Sequence, residues 1–428
     1  MGQFEFNNDR TPRAWLWATV VAFAVRLVVV GFVYQGFLDP GRDHWEFAYE
    51  TGKIARSIVT GHGFANPYYW VNTGPTAEVA PVLPYLVAGV MAIFGIYTKA
   101  AALAVLTLNS LFSAVTCVPI FFLAKKSFGL RTARFATWTW AFFPYAVYFS
   151  ADSMWDHALT ALLLTLLLLI ALHLESSTRL LAWAGFGVLW GVSALTTPVV
   201  LGALPFLIGW ICYQHRRQGR NWSIPAATAG LAVVFTLAPW LIHNYRAFHH
   251  PVFLKDTLPM VFLDGNFGNK LHWWNGSLDP CGNPAEMVKF QEMGEHAYMA
   301  EKWRQAVDVL QSNPQTFVWR SIRRVVYMWT GYWSFSPEYL REEPFDPPNI
   351  IFCSAFTFLA IMGLIKAFRK IPDMAMPYAL VLLAYPMVYY ITHSDIAYRH
   401  PLDPEIVVLA SYAVVSWLPR RRPAVHGE

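Results

Sequence analysis

The chain has 428 residues, of which 56% are hydrophobic and only 14% are charged. Soluble domains carry about 25% charged residues, so this composition excludes an ordinary soluble protein and indicates a polytopic membrane protein. The formal net charge of +5 comes from short basic clusters between apolar segments. It therefore gives no reason to expect a nucleic-acid partner.

Eleven apolar segments have the length, or nearly the length, of a membrane-spanning helix, which needs about 20 residues. One of them, residues 81–97, is short and begins with Pro81 and Pro84. We expect this segment to form an interfacial or re-entrant helix and the other ten to cross the membrane. Those ten are residues 14–37, 101–124, 135–150, 157–174, 180–194, 198–213, 225–242, 350–365, 374–391 and 404–418.

The basic clusters predict the orientation, because short cytoplasmic loops are rich in lysine and arginine. With ten crossings, the clusters that contain Arg10, Lys125, Arg216 and Arg420 fall on the same side as both termini. We therefore expect a protein integral to a bacterial-type inner (plasma) membrane, with both termini in the cytoplasm.

This topology divides the chain into three predicted parts. Residues 1–242 form an N-terminal membrane module, in which residues 38–100 are a first outer loop. Residues 243–348 form a large extracytoplasmic domain, and residues 349–428 form C-terminal transmembrane helices. The outer domain should be mostly helical, because residues 283–312 have helical periodicity that ends at Asn313-Pro314.

The first outer loop places acidic residues directly after an apolar helix. Asp43, Glu46 and Glu50 have i, i+3, i+7 spacing and would share one face of an amphipathic surface helix. Lys53 would lie beside Glu50. Such a carboxylate can accept a proton from a hydroxyl while the cation holds a phosphate. The alternative is that the acids only solvate the helix; for Glu46 and Glu50 we favour function, since carboxylates at a membrane are unfavourable without a partner.

Three features together resemble the GT-C glycosyltransferases. They are the outer acid after the first helix, the Gly61-His-Gly-Phe64 turn, and a helix that begins at Pro81-Val-Leu-Pro84 and ends at Phe94-Gly95. The closest pattern is that of the protein O-mannosyltransferase, aminoarabinose transferase and lipopolysaccharide-core transferase group. The resemblance covers residues 43–97 in motif and nearly the whole chain in layout. It implies an all-α membrane protein of GT-C type that takes a sugar from a polyprenyl phosphate.

In that group, an acidic residue of the first outer loop is the proposed catalytic base, often within an Asp-Glu pair. This sequence has no such pair there. The nearest match is Glu50, and Glu46 and Asp43 are the alternative bases. The resemblance implies no required cofactor. A divalent cation stays possible, because the clustered acids could hold one.

Later segments resemble other parts of the same group. Residues 239–246 resemble the exit into the large outer domain, and Asp264-Gly-Asn-Phe-Gly-Asn269 resembles the turn that follows. Near the end, residues 397–404 resemble a Tyr-Arg segment, in which Tyr398 and Arg399 would bind the donor phosphate. The alternative for Arg399 is an interfacial anchor.

The remaining candidates would contact substrate. His62 would bind a sugar, or it would be structural. Asp156 and His157 would shape the acceptor or phosphate site. The alternative for Asp156 is a pair with a neighbouring basic residue. An aromatic and amide-rich patch would contact the acceptor, and it consists of Asp264, His272, Trp273, Trp274 and Asn275. Asn269, at the end of the 264–269 turn, would also bind substrate. The alternative for the tryptophans is a membrane-interface belt.

The sequence thus predicts an inverting membrane glycosyltransferase that acts on the outer face. Its partners would be a polyprenyl-phosphate sugar donor, a protein, lipid or glycan acceptor, and membrane lipids. Neither the sugar nor the acceptor is specified. The alternative is a transporter or flippase of a lipid-linked or small polar substrate, which would carry charges mid-membrane on broken helices. Here the acids concentrate in outer loops.

Overall fold

The computed structural model describes residues 14–37, 47–68, 72–151, 154–267 and 277–419. Within these ranges the chain forms helices and no β-strand, apart from one isolated bridge between Ala65 and Pro75. The all-α fold class predicted from the sequence is therefore confirmed.

Eleven α-helices make up the first part of the fold. They are α1 Ala14–Phe37, α2 Tyr49–Val59, α3 Val82–Phe94, α4 Lys99–Val115, α5 Cys117–Phe128, α6 Leu130–Ala141, α7 Pro144–Ala151, α8 His157–Leu174, α9 Leu180–Thr196, α10 Leu204–Arg217 and α11 Ser223–Phe248. A 3-10 helix at Pro198–Gly202 precedes α10.

Ten α-helices follow. They are α12 Leu258–Asn266, α13 Pro284–Met293, α14 Glu295–Ser312, α15 Pro314–Thr330, α16 Pro337–Glu342, α17 Asp346–Lys370, α18 Pro372–Ala384, α19 Met387–Ile391, α20 Ile396–Arg399 and α21 Asp403–Trp417. A 3-10 helix at His400–Leu402 joins the last two.

Seven helical stretches in the described part of the chain are long and apolar enough to cross a membrane. They are Ala14–Phe32, Lys99–Phe128, His157–Leu174, Pro198–Arg217, Ser223–Phe248, Asp346–Lys370 and Pro372–Ile391. The other three predicted crossings correspond to α6 with α7, to the 17-residue α9 and to the 15-residue α21. Helices of that length rise about 23–26 Å against a hydrocarbon core of ~30 Å. The predicted total of about ten is thus roughly consistent with the structure.

The Pro81 segment forms the short helix α3, as the prolines indicate. α3 has 13 residues and ends at Gly95, whose φ of 91° stops the helix. Its rise of about 20 Å is well below the thickness of the bilayer core. This length agrees with the predicted interfacial or re-entrant helix.

Arg26 fills the break between α6 and α7. Its guanidinium is fully buried and donates hydrogen bonds to the carbonyl oxygens of Ala141 at 3.0 Å and Trp140 at 3.3 Å. It also donates to the Ser113 hydroxyl at 2.9 Å. The last carbonyls of a helix have no partner within it. Arg26 supplies the donor for the Ala141 carbonyl, and it shares the Trp140 carbonyl with the Phe143 N–H.

The region before α17 is helical, as predicted. The 283–312 segment is two helices, because Gly294 with a φ of 75° separates α13 from α14. Asn313-Pro314 ends α14 and at once begins α15, since the Asn313 side chain accepts a hydrogen bond from the Thr316 backbone N–H at 3.1 Å. Asparagine is a favoured N-cap and proline a favoured first residue.

Candidate active site

Helix α2 begins later than the acid spacing predicts. Ala48, the N-cap of α2, and Tyr49, its first residue, have φ angles of 60° and 48°. These angles lie in the left-handed region, through which a right-handed helix cannot continue. A continuous helix from Asp43 to Glu50 is therefore excluded, and the predicted shared face of Asp43, Glu46 and Glu50 is wrong. Asp43 and Glu46 lie outside the described residues.

The turn before α2 depends on Gly52. A Cβ atom added at this position would lie 1.8 Å from the carbonyl oxygen of Phe47, so only glycine allows the chain to fold back so closely. The Gly52 N–H donates to the Ala48 carbonyl at 3.1 Å. This close approach places Glu50 in the first turn of α2.

Glu50 is half-buried beside a buried cation. Burial raises the pKa of the Glu50 carboxyl above its usual range, and attraction by Lys53 acts in the opposite direction. Lys53 is only 5% exposed. It follows Glu50 by three positions, so the two residues lie on the same side of α2. A carboxylate with a raised pKa is a stronger base than a solvated one, and the neighbouring lysine keeps it available.

A second buried acid, Glu78, lies close to Glu50. Its Oε1 accepts a hydrogen bond from the Tyr68 hydroxyl at 3.0 Å, and its Oε2 has no hydrogen-bond partner among the described residues. Burial raises the pKa of Glu78 well above its usual range, and repulsion from Glu50 and then Glu295 adds to the shift. Two neighbouring carboxyls with unequal environments are typical of acid–base sites.

The loop that carries Glu78 is held by α14 and by the segment that precedes α12. Glu295, in the first turn of α14, accepts a hydrogen bond from the Ala77 N–H at 2.6 Å. The Ala77 carbonyl accepts from the Asp256 N–H at 3.0 Å, and the Glu78 carbonyl accepts from the Thr257 hydroxyl at 3.4 Å. Burial, with repulsion from Asp256, raises the pKa of Glu295 to about 8.

Asp156, His157 and Tyr398 meet at the start of α8. Asp156 accepts a hydrogen bond from the Thr197 hydroxyl, and its Oδ1 lies 3.7 Å from Nδ1 of His157. The His157 ring packs edge-on against Tyr398, with 5.8 Å between ring centroids. Burial raises the pKa of Tyr398, and Asp156 and Glu50 are among the charges that add to this shift. Tyr398 is thus the predicted site residue on which the charges of both Asp156 and Glu50 act.

Arg399 lies in the helical core. It is fully buried, and its Nε is 3.3 Å from Oδ1 of Asp403. Its Nη1 donates to the carbonyl oxygens of Trp329 and Cys353, each at 3.5 Å. Asp403 therefore balances the positive charge of Arg399. The binding of the donor phosphate by Arg399 stays a prediction.

His62 lies away from Glu50. Its exposed ring has Nδ1 3.0 Å from the Thr60 hydroxyl, beyond the C-terminal end of α2, whereas Glu50 is in the first turn. The 11 residues of α2 rise about 16 Å. The structure does not bring these two candidates together.

The predicted turn after residue 264 is the C-terminal end of helix α12. Asp264 is buried there, and a Cβ atom added to Gly265 would lie 1.8 Å from the Thr392 carbonyl oxygen. Arg324 donates to the carbonyl of Gly265 and, at 3.1 Å, to Oδ1 of Asn266. Asn269 and Trp273 lie outside the described residues.

Residues in these ranges form no group of three or more His, Cys, Asp or Glu side chains that could hold a metal ion. The acids near Glu50 come from separate segments of the chain, and Tyr68 donates a hydrogen bond to one of them, Glu78.

Sequence reasoning did not place Glu78 and Glu295 in the site. A weak signal for Glu78 exists, because it ends the Thr73-Gly-Pro-Thr-Ala-Glu78 turn between the glycine motif and α3. No such signal exists for Glu295, since its contact with Ala77 joins positions 218 residues apart.

Comparisons with known proteins agree with this architecture. Residues 78–243, less than half of the chain, match the family described as dolichyl-phosphate-mannose-protein mannosyltransferase. No curated protein sequence matches the chain. The apo oligosaccharyltransferase of Archaeoglobus fulgidus is similar with a TM-score of 0.58 and 13% identity, over 95% of this chain and 51% of that chain.

Two further structures of the A. fulgidus enzyme are also similar. Archaeal oligosaccharyltransferase AglB in complex with an inhibitory peptide and a dolichol-phosphate has a TM-score of 0.56 and 14% identity, over 94% of this chain and 50% of that chain. The complex with Zn and sulfate has a TM-score of 0.53 and 13% identity, over 93% of this chain and 48% of that chain. The chain therefore spans about half the length of these relatives, and the likeness establishes the fold. The chain is an integral membrane protein with the GT-C fold of membrane glycosyltransferases.

Proposed function

We propose that the protein is a glycosyltransferase that moves one sugar from a polyprenyl-phosphate donor to an acceptor hydroxyl. The observation that carries this proposal is the half-buried Glu50 beside the buried Lys53 and Glu78, in a chain with the GT-C fold. The mannosyltransferase family match and the dolichol-phosphate in the AglB complex support a lipid-phosphate donor.

Glu50 acts as the general base in this scheme. It takes the proton from the acceptor hydroxyl while the hydroxyl oxygen forms a bond to the anomeric carbon of the sugar. The bond from that carbon to the phosphate oxygen breaks, and the electron pair leaves with the lipid phosphate. Attack from the face opposite the leaving group inverts the anomeric configuration. Glu46 and Asp43 are the alternative bases.

Lys53 and Glu78 complement the base. The positive charge of Lys53 stabilises the negative charge that develops on the phosphate, and it lowers the pKa of Glu50 relative to burial alone. Glu78 keeps its proton over a wider pH range than a solvated acid, because its pKa is raised. Its Oε2, which has no hydrogen-bond partner in the described chain, is then a donor for a substrate oxygen.

We assign Tyr398, His157 and Asp156 to the same proposed site. Tyr398 is close enough to both Glu50 and Asp156 for their charges to act on it. We propose that these three residues bind the acceptor or the donor headgroup. The ion pair of Arg399 with Asp403 supports a positioning role for Arg399, one residue after Tyr398.

The scheme places the site on the outer face of the membrane and both termini in the cytoplasm. It needs no metal, since Lys53 supplies the positive charge at the phosphate. A divalent cation remains compatible with the acids, and the Zn complex of the A. fulgidus enzyme supports testing one. Transfer that persists in EDTA would agree with the metal-free scheme.

The test is sugar transfer in proteoliposomes from a panel of radiolabelled polyprenyl-phosphate hexoses and pentoses. The proposal predicts a covalent product on a hydroxyl acceptor and release of the lipid phosphate. Movement of the labelled donor across the bilayer without a new glycosidic bond would instead support the transporter or flippase alternative.

A further inference from the structure

Helix α15 exposes an apolar face and buries charge. Val318, Trp319, Ile322, Val325 and Val326 are all exposed, and Trp319 is 61% exposed. Their i, i+1, i+4, i+7, i+8 spacing places them on one side of the helix. In a helix at a protein–water boundary, the apolar side faces inward, so α15 has the opposite arrangement.

The other side of α15 packs against the protein and buries an arginine together with core residues. Arg324, Tyr327 and Met328 are buried, and Arg324 donates to backbone or side-chain oxygens of Gly265 and Asn266. A charged group turned toward protein carbonyls, with apolar groups turned outward, is the arrangement expected when the surroundings cannot solvate charge.

The C-terminal end of α15 lies partway along α17. The Thr357 hydroxyl donates to the Trp329 carbonyl at 2.5 Å, and the Ser354 hydroxyl donates to the Thr330 carbonyl at 3.5 Å. These side chains follow the first residue of α17, Asp346, by two to three helical turns, which is about 12–17 Å along the axis. α17 is long and apolar enough to cross a membrane. The end of α15 is therefore at the depth of the hydrocarbon core.

Aromatic residues continue the exposed surface toward the start of α17. Tyr332, Phe335 and Phe345 are exposed, and the Arg323 guanidinium lies 4.4 Å from the centre of the Trp333 ring. Aromatic and arginine side chains of this kind are typical of the membrane–water interface. Residues 329, 330 and 331 lie beside successively earlier residues of α17. The aromatic segment therefore follows the chain from the end of α15 toward the start of α17.

We propose that α15 is a membrane-inserted helix, whose face of Val318, Trp319, Ile322, Val325 and Val326 contacts lipid acyl chains. It enters the leaflet on the side where α17 begins. Residues 243–348 were predicted to form an extracytoplasmic domain. Under this proposal α15, the last long helix of that region, lies in the membrane. It is independent of the proposed function.

The test uses nitroxide labels on single cysteines at Val318, Ile322 and Val326, in a protein with Cys212→Ser and Cys281→Ser. The matched control is a label at Gln311, an exposed position near the end of α14. Accessibility to oxygen and to a water-soluble nickel chelate is then measured by electron paramagnetic resonance in phospholipid nanodiscs. We expect the three α15 labels to be accessible to oxygen and several-fold less accessible to nickel than Gln311.

Two other outcomes would overturn the proposal. Nickel accessibility equal to that of the control would place the face in water, and exclusion of both reagents would mean that a protein partner covers it. Melting temperatures in liposomes provide a second, label-free test. Ile322→Lys should melt at a lower temperature than Gln311→Lys, and equal melting temperatures would contradict insertion.

Discussion

The carboxylate of Glu295 accepts a hydrogen bond from the backbone N–H of Ala77, with 2.6 Å between nitrogen and oxygen. Glu295 belongs to α14, whereas Ala77 directly precedes the buried Glu78. One buried side chain therefore joins α14 to the loop that completes the proposed catalytic site, so α14 helps to position Glu78.

Glu295→Ala should reduce both stability and transfer, because the Ala77 N–H loses its acceptor. A buried donor without a partner costs about 1–3 kcal/mol. Glu295→Gln keeps an oxygen at this position and should retain most of the stability. Thermal unfolding and transfer rates would be compared with Glu292→Ala, which changes an exposed residue of α13. Equal losses in the alanine and glutamine variants would contradict a role as hydrogen-bond acceptor.

The stability of the wild type should decrease as pH rises toward and through 8. The pKa of Glu295 is raised to about 8 from ~4.3 in an unfolded chain, so the folded protein binds more protons across this window. Stability then falls with increasing pH. The measurement is the melting temperature between pH 5 and 9. The melting temperature of Glu295→Gln should decrease less over this pH range. A decrease equal to that of the wild type would mean that Glu295 does not cause the pH dependence.

Lys53→Met should move the rising limb of the pH–rate profile to higher pH. The reaction needs the ionised form of Glu50, and the charge of Lys53 lowers the pKa of that carboxyl. Without this charge the pKa rises, so a higher pH is needed to ionise the base. The pH profile of kcat/KM checks this shift, with Lys289→Met, at an exposed lysine of α13, as the control. A shift to lower pH would contradict the pairing.

Much of the membrane architecture follows from the sequence because hydrophobic length and proline are local signals. Pro81 and Gly95 bracket α3, and the i, i+3 spacing of Glu50 and Lys53 places them on one side of α2. The left-handed residues Ala48 and Tyr49 carry no such signal, because neither is glycine or asparagine. The predicted helical face of three acids failed for that reason.

The rest of the candidate site depends on long-range packing. The contact of Glu295 with Ala77 joins segments 218 residues apart, and no local pattern reports it. Arg26 is similar, since its sequence position in α1 does not reveal that its partners are the last carbonyls of α6. A charged residue in an apolar segment predicts that polar partners exist, but the partners are identified only by the folded structure.

Arg26→Met should destabilise the junction of α6 and α7. The substitution removes the donor to the Ala141 carbonyl, whereas the Trp140 carbonyl keeps the Phe143 N–H as a donor. An unsatisfied buried carbonyl costs about 1–3 kcal/mol. The measurement is the thermal unfolding temperature in liposomes. Arg131→Met, which removes an exposed arginine at the start of α6, is the control. Equal unfolding temperatures for the two variants would contradict the role of Arg26.

The most direct measurement compares sugar transfer by the wild type and by Glu50→Gln in proteoliposomes, with binding of the polyprenyl-phosphate donor measured in parallel. Glutamine preserves the size of the side chain but cannot accept the hydroxyl proton. The account predicts that transfer falls by at least about 100-fold, as for loss of a general base, while donor binding is retained. Full transfer by Glu50→Gln would contradict Glu50 as the base.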